Sequence, residues 1–192
     1  KAAATAATLL ADVDQLGRGD GVDLVAATGA LLAAEARGLP PHLCRDAGVT
    51  PDQARQLLRA RDRLARGEEG DLEDGEDFDA VALARALLAG FPDRVAVRSS
   101  KDGREAVMVG GRGLVLPAAA DGNELVLALR LHESGRQQRS AATVVAPIDF
   151  ELLERTGDIE TKADAELDEA AGRVVALRTV CYRGLVLRSA RG

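Results

Sequence analysis

The spacing of hydrophobic and polar residues changes once along this 192-residue chain, close to residue 91. Before that point, apolar residues recur three and four positions apart, which is the spacing of one buried helix face. After it, polar and apolar residues alternate in short runs separated by Gly, Pro and Asn, which is typical of β-strands. The pattern predicts an α+β protein: an N-terminal helical bundle followed by a small OB-like antiparallel β-barrel.

The first two predicted helices cover residues 5–16 and about 22–37. The first is rich in good helix formers and ends before a Gly-containing loop. The second has Asp20 or Asp23 near its start, and Gly38 follows its end as a C′ residue. Both helices carry apolar residues at helical spacing, so we expect them to pack against each other.

The strongest local helix signal begins at Thr50. Pro51 follows at the first helical position, and Gln53 stands three residues after Thr50, which completes a capping box. This helix is predicted to run to about residue 66.

A short helix, a turn through Gly48 and this longer helix resemble a helix-turn-helix. In such a motif Arg55, Arg59 or Arg63 would face DNA. The alternative is that the leucines of the longer helix dock it on its neighbours while the arginines stay solvated, an arrangement that is common in helix pairs.

The β region opens with a predicted hairpin. Residues 94–98 and 104–109 alternate in polarity on either side of a polar turn, for which Gly103 would supply a positive φ angle. The glycine cluster at 110–113 then marks a sharp bend. Further strands are predicted within residues 125–131, 141–146, 159–167 and 173–187, together with a short helix capped by Asp149. This series suits a Greek-key barrel of the oligonucleotide-binding kind.

The distribution of charge predicts the domain boundaries of the chain. The net charge is −6, and eight acidic residues with no base fall within residues 67–79. We therefore expect a helical domain at 1–66, an acidic linker or loop at 67–78, and the barrel domain with its leading helix at 79–192. Because the chain opens with Lys1 and has no initiator Met, we expect it to be a piece of a longer protein.

No catalytic motif is present in the sequence. It contains no phosphate-binding loop, no G-x-S-x-G elbow and no H-E-x-x-H, and its two cysteines have no metal-site spacing. We expect no catalysis, metal or cofactor in this chain. The N-terminal stretch is neither a signal peptide nor a membrane span, so we expect a cytoplasmic protein without a membrane partner.

Arginines form the candidate binding set. Arg94 and Arg98 share strand parity, which would direct both to one face, and Arg104 and Arg112 flank the second strand. Such a set could follow the phosphate backbone of a single strand. The alternative is a set of ordinary outward charges, and aromatic residues for base stacking are scarce. Two further arginines fall in a predicted hairpin loop, Arg136 and Arg139.

Several short segments resemble one family. Residues 91–96 (FPDRVA), Gly103-Arg104, residues 111–113 (GRG) and Leu116 look like the segment that opens the C-terminal barrel of bacterial HrpB-class, DEAH-box ATP-dependent helicases. Residues 172–176 and 184–187 are similar to its closing strands, and parts of residues 9–24 resemble the end of the helicase-associated, or ratchet, helical domain.

The resemblance implies an accessory C-terminal region of a helicase. Its implied partners are single-stranded nucleic acid, RNA rather than DNA, and the motor domains of the same polypeptide. ATP and Mg²⁺ would bind only in those motor domains, which this chain lacks. Two other classes stay open: a helix-turn-helix DNA-binding regulator, in which Arg55 and Arg59 read duplex DNA, and a structural module that docks proteins.

Overall fold

A computed structural model describes residues 1–12, 21–66, 78–100, 103–133, 140–168 and 172–191. Residues 67–77 of the predicted acidic linker and both Arg136 and Arg139 lie outside these ranges. In chain order the helices are α1 (Ala2–Ala11), α2 (Leu24–Ala36), α3 (Pro41–Asp46), α4 (Pro51–Ala65), α5 (Ala80–Gly90) and α6 (Phe150–Glu154).

Nine strands are described: β1 (Val22–Asp23), β2 (Val95–Arg98), β3 (Glu105–Met108), β4 (Arg112–Val115), β5 (Leu125–Glu133), β6 (Ser140–Ile148), β7 (Ile159–Asp168), β8 (Arg173–Tyr182) and β9 (Leu185–Arg191). Helices and strands together confirm the predicted α+β class.

Side-chain caps fix where the helices begin. The Asp23 carboxylate accepts hydrogen bonds from the amides of Val25 and Ala26 at the start of α2. At α4 the predicted capping box is present, because the Thr50 hydroxyl accepts from the Gln53 amide and the Gln53 side chain accepts from the Thr50 amide. Asp79 caps α5 in the same way as Asp23, and Asp149 caps α6 by accepting from the Leu152 amide. The caps of α2, α4 and α6 agree with the prediction.

A buried ion pair links α2 to α4. The Arg61 guanidinium, 4% exposed, donates to both carboxylate oxygens of Glu35 at 2.7 Å and also to Asp62 at 2.6 Å. These hydrogen bonds lower the pKa of Glu35. The bidentate geometry fixes the rotation of α4, so the buried face of α4 carries Ala54, Leu57 and Leu58.

Five strands close into a barrel. Neighbours run in the order β6-β4-β3-β2-β5, and β5 pairs with β6 to complete the ring. All of these pairs are antiparallel except β4 with β6, where Leu114 and Val115 lie beside Ser140 and Ala141 in parallel register. The short β1 adds to the same side of β6 as β4, opposite Val144 and Val145, and is also parallel.

Two apolar cores lie on either side of the barrel wall. Strand β5 shows both, since Val126 and Ala128 belong to the core inside the barrel, whereas Leu125, Leu127 and Leu129 pack in a second core with the helices. The alternating side chains of a strand point to opposite faces. Both faces of β5 are therefore covered, and the second core joins the helical region to the barrel.

The structure differs from the sequence predictions for two glycine sites in the hairpin region. Gly103 does not adopt a positive φ angle; Gly110 and Gly111 do, at 85° and 79°. These two form the turn of a second hairpin, in which Met108 pairs with Arg112. The predicted bend is thus a reversal between two antiparallel strands, and only glycine adopts such consecutive angles without strain.

The last three strands form a separate sheet. Strands β7, β8 and β9 pair antiparallel in that order and have no pairing with the barrel strands in the described residues. This corrects the expectation that they belong to the barrel. The sheet meets the core shared with the helices through Tyr182, Leu185 and Leu187.

Candidate nucleic-acid interface

Arg98, one of the predicted binding residues, is engaged by the protein itself. Its Nε donates to the carbonyl of Asn123 at 2.9 Å, one Nη donates to Ala120 at 2.5 Å, and the other Nη donates to Gly103. These carbonyls belong to two loops on either side of β2. The guanidinium therefore connects the β2–β3 loop to the β4–β5 loop, which leaves few of its N–H groups for a phosphate.

Arg94 does not share a strand with Arg98. It lies in the 3₁₀ turn at Pro92–Arg94, which directly precedes β2, so the parity argument does not apply to this pair. Its nearest charged partner is Asp93, with 3.4 Å between Nε and Oδ2. The side chain is about one-third exposed, so a ligand could reach only part of it.

Arg104 and Arg112 lie at the two ends of the β3–β4 hairpin. Arg104 precedes β3 and is 3.5 Å from the Asp121 carboxylate, with about half of its side chain exposed. Arg112 opens β4, where its Nε donates to the Ser140 hydroxyl at 2.9 Å and an Nη donates to Glu133 at 2.8 Å. Both guanidiniums retain exposed surface that a ligand could reach.

The position of Arg112 connects it to the predicted Arg136 and Arg139. Glu133 is the last described residue before the gap at 134–139 and Ser140 is the first after it. Arg112 contacts both. The two arginines of that segment lie outside the described residues, but the chain enters and leaves the segment beside Arg112.

A shallow depression of about 170 Å³ lies on the wall between Arg104 and Arg112. Its lining comes from the β2 end, β3 and β4: Ser99, Glu105, Ala106, Val107, Gly113 and Leu114. No aromatic side chain lines it, so the surface has no base-stacking platform. The chemistry available there consists of guanidiniums, small side chains and strand backbone.

The α4 arginines form a distinct surface. Arg55 and Arg59 lie on the exposed face of α4, opposite the side fixed by Arg61. Arg55 pairs with Asp52 one turn earlier, and no ion pair joins Arg59 to another described residue. They are separate in the chain and in the fold from the barrel set.

Sequence reasoning missed the role of Arg61. Its partner Glu35 is 26 residues away on another helix, and no helical spacing connects the two. The position of Arg61, four residues after Leu57 and three after Leu58, was a possible signal, because residues at this spacing share one helix face and both leucines are buried.

The described part of the chain holds no group of three or more His, Cys, Asp or Glu side chains that could bind a metal ion. Cys44 and Cys181 are both buried free thiols. Within those same ranges, each helix is too short or too polar to cross a bilayer.

Known structures share this fold. A crystal structure of the Escherichia coli DExH-box NTPase HrpB matches 98% of the chain with a TM-score of 0.56 and 21% sequence identity. A crystal structure of the Escherichia coli DEAH/RHA helicase HrpB matches the same share with a TM-score of 0.54, also at 21% identity. The chain spans a fifth of the length of each.

At the level of sequence, no family model and no curated protein matches the chain. At 21% identity the two structural matches show a shared fold. The chain is therefore an α+β unit whose fold is similar to that of a segment of HrpB.

Proposed function

We propose that this chain is an accessory region of an ATP-dependent helicase, of the kind that follows the motor domains. In this proposal the helical part, residues 1–66, corresponds to a ratchet-like domain and the barrel to an OB-fold. The barrel contacts single-stranded nucleic acid, and the region packs on motor domains that lie outside this chain. The observation that carries the proposal is the structural match over 98% of the chain to a segment of HrpB.

The strand order of the barrel supports the OB assignment. OB-folds are five-stranded Greek-key barrels that bind oligonucleotides on the face of their second and third strands and on the loops beside it. In this chain those strands are β3 and β4. Arg104 and Arg112 stand at the ends of this face, and Arg112 contacts Glu133 and Ser140, which flank the segment that contains Arg136 and Arg139.

The nature of the surface favours backbone contact. Guanidiniums bind phosphates strongly, and this face lacks the aromatic rings on which bases stack. We therefore expect contacts to the strand backbone, with little sequence preference and strong salt dependence. The resemblance to HrpB-class helicases adds the expectation that RNA is preferred over DNA. ATP and Mg²⁺ would bind in the motor domains, and the expected location is the cytoplasm.

Fluorescence anisotropy with labelled single strands tests the proposal. Arg104→Gln and Arg112→Gln should each weaken binding and reduce the slope of log Kd against log salt by about 0.7, the value expected per phosphate on a single strand. Arg45→Gln on the exposed side of α3 is the matched control and should bind normally. Arg98 is left unchanged because it holds two loops in place.

The same measurement separates the rival functions. Binding that favours duplex DNA and is lost in Arg55→Gln and Arg59→Gln would support the helix-turn-helix regulator instead. No binding to any nucleic acid at low salt would support a structural docking module. Either result would refute single-strand contact by the barrel.

A further inference from the structure

A larger cavity lies away from the β3–β4 face. It has a volume of about 380 Å³ and is lined by α5, the Pro92–Arg94 turn, the end of α6 and the β8–β9 turn. Cavities of this size hold small molecules. Three separate parts of the chain each contribute one arginine to its wall: Arg85, Arg155 and Arg183.

Positive charge dominates this wall. Three arginines and one acidic residue, Asp158, line it, in a chain of net charge −6. Arg183 donates to Asp158 at 2.6 Å, and Arg155 pairs with Glu151 at 2.8 Å outside the cavity lining. Arg85 is exposed on α5 and forms no ion pair with another described residue. Its charge is therefore available to a ligand.

Tyr182 supplies an independent sign of a binding site. The residue is fully buried, lines the cavity, and its hydroxyl has no hydrogen-bond partner in the described residues. Buried polar groups in folded proteins are normally paired, so an unpaired one calls for an explanation. Burial is the main cause that raises the pKa of Tyr182. The charge of Arg183 lowers this pKa and that of Asp158 raises it. The hydroxyl thus stays protonated as a donor and lies close to the charged wall.

The turn that carries Arg183 is a two-residue hairpin turn. Arg183 and Gly184 have φ angles of 47° and 81°, and Tyr182 pairs with Leu185 across them. Two positive φ angles are usual in such a turn, because they match the twist of the flanking strands. The Arg183 guanidinium lies 5.8 Å from the centre of the Tyr182 ring, so the turn presents its charge beside the tyrosine at the cavity wall.

We propose that this cavity binds a phosphate monoester, with Arg85, Arg155 and Arg183 around the phosphate and the Tyr182 hydroxyl as a further donor. A monoester offers three terminal oxygens and close to two negative charges at neutral pH to these donors, whereas the internal diester of a nucleic-acid strand carries one charge. The ligand is either a small phosphorylated molecule or the phosphorylated end of a strand. This site is independent of the function proposed for the barrel.

The sole tyrosine makes the binding measurable. The chain has no Trp and one Tyr, so its intrinsic fluorescence reports on Tyr182 alone. Titration with inorganic phosphate at constant ionic strength should change this fluorescence and reach saturation. Loss of one charged hydrogen bond should weaken binding about tenfold in Arg85→Gln. Arg45→Gln should bind like the unchanged protein. A change that never saturates, or equal binding by Arg85→Gln, would overturn the proposal.

Two further arms identify the source of the phosphate. Ribose 5-phosphate tests a small monoester, and a 5′-phosphorylated strand is compared with the same strand bearing a 5′-hydroxyl. Stronger, Arg85-dependent binding of either monoester than of the 5′-hydroxyl strand supports the site. Equal Arg85-dependent binding of both strands would refute the preference for monoesters. Phosphate binding that is lost in Arg112→Gln but kept in Arg85→Gln would place it at the barrel and overturn this assignment.

Discussion

Replacing Arg98 by alanine gives the sharpest test of what this residue does. The change removes three hydrogen bonds from a charged donor to the carbonyls of Gly103, Ala120 and Asn123. Hydrogen bonds to charged groups contribute about 1.5–3 kcal/mol each. Because the side chain is half-buried, the freed carbonyls regain part of their hydration, and we expect a total loss of about 3 kcal/mol in the free energy of unfolding.

Urea denaturation followed by circular dichroism measures this loss. With a slope of about 2 kcal/mol per molar urea, the midpoint should fall by about 1.5 M. Arg104→Ala is the matched control, since its exposed ion pair with Asp121 at 3.5 Å should contribute at most about 1 kcal/mol. If Arg98→Ala is as stable as Arg104→Ala yet no longer binds single strands, Arg98 is a ligand contact and the structural reasoning is wrong.

Two further results are expected. Gly21→Ala should destabilise the fold by several kcal/mol, because a Cβ at this φ angle of 74° would lie 2.2 Å from the Pro117 Cβ. Gly38→Ala should cost only about 1 kcal/mol, because Gly38 has a φ angle of 77° but open space around it. Thermal unfolding of both variants measures the difference. Equal losses would contradict the steric argument. Burial raises the pKa of Tyr182, so the native state holds its proton longer than the unfolded state, and stability should fall as pH rises above about 10. Absorbance titration of the phenolate, together with urea denaturation at each pH, measures this decline in stability. Tyr182→Phe should abolish the decline. If the decline is unchanged in Tyr182→Phe, other titrating groups cause it.

Local signals in the sequence predicted much of the fold. The capping box at Thr50 and the aspartates before α2 and α6 identify helix starts correctly, because a cap involves residues only two or three positions apart. The β2–β3 hairpin was predicted for a similar reason, since its strands are separated by a short turn.

Long-range pairing was not predictable from the same signals. Strands β7–β9 alternate like barrel strands, and only their partners reveal that they form another sheet. The difference between Arg98 and Arg112 likewise depends on loops that meet only in the folded chain. The cavity beside Tyr182 collects residues from Arg85 to Arg183, so no sequence spacing could have indicated it.

The short strand β1 has a consequence for how this region can evolve. Val22 and Asp23 extend the ladder of β6, and Gly21 lets the backbone approach Pro117 and Thr143 closely enough to do so. The N-terminal residues thus contribute hydrogen bonds to the wall of the barrel as well as apolar contacts to its outer face. Neither part could be exchanged for an unrelated module without exposing the other, so the helices and the barrel should be inherited together.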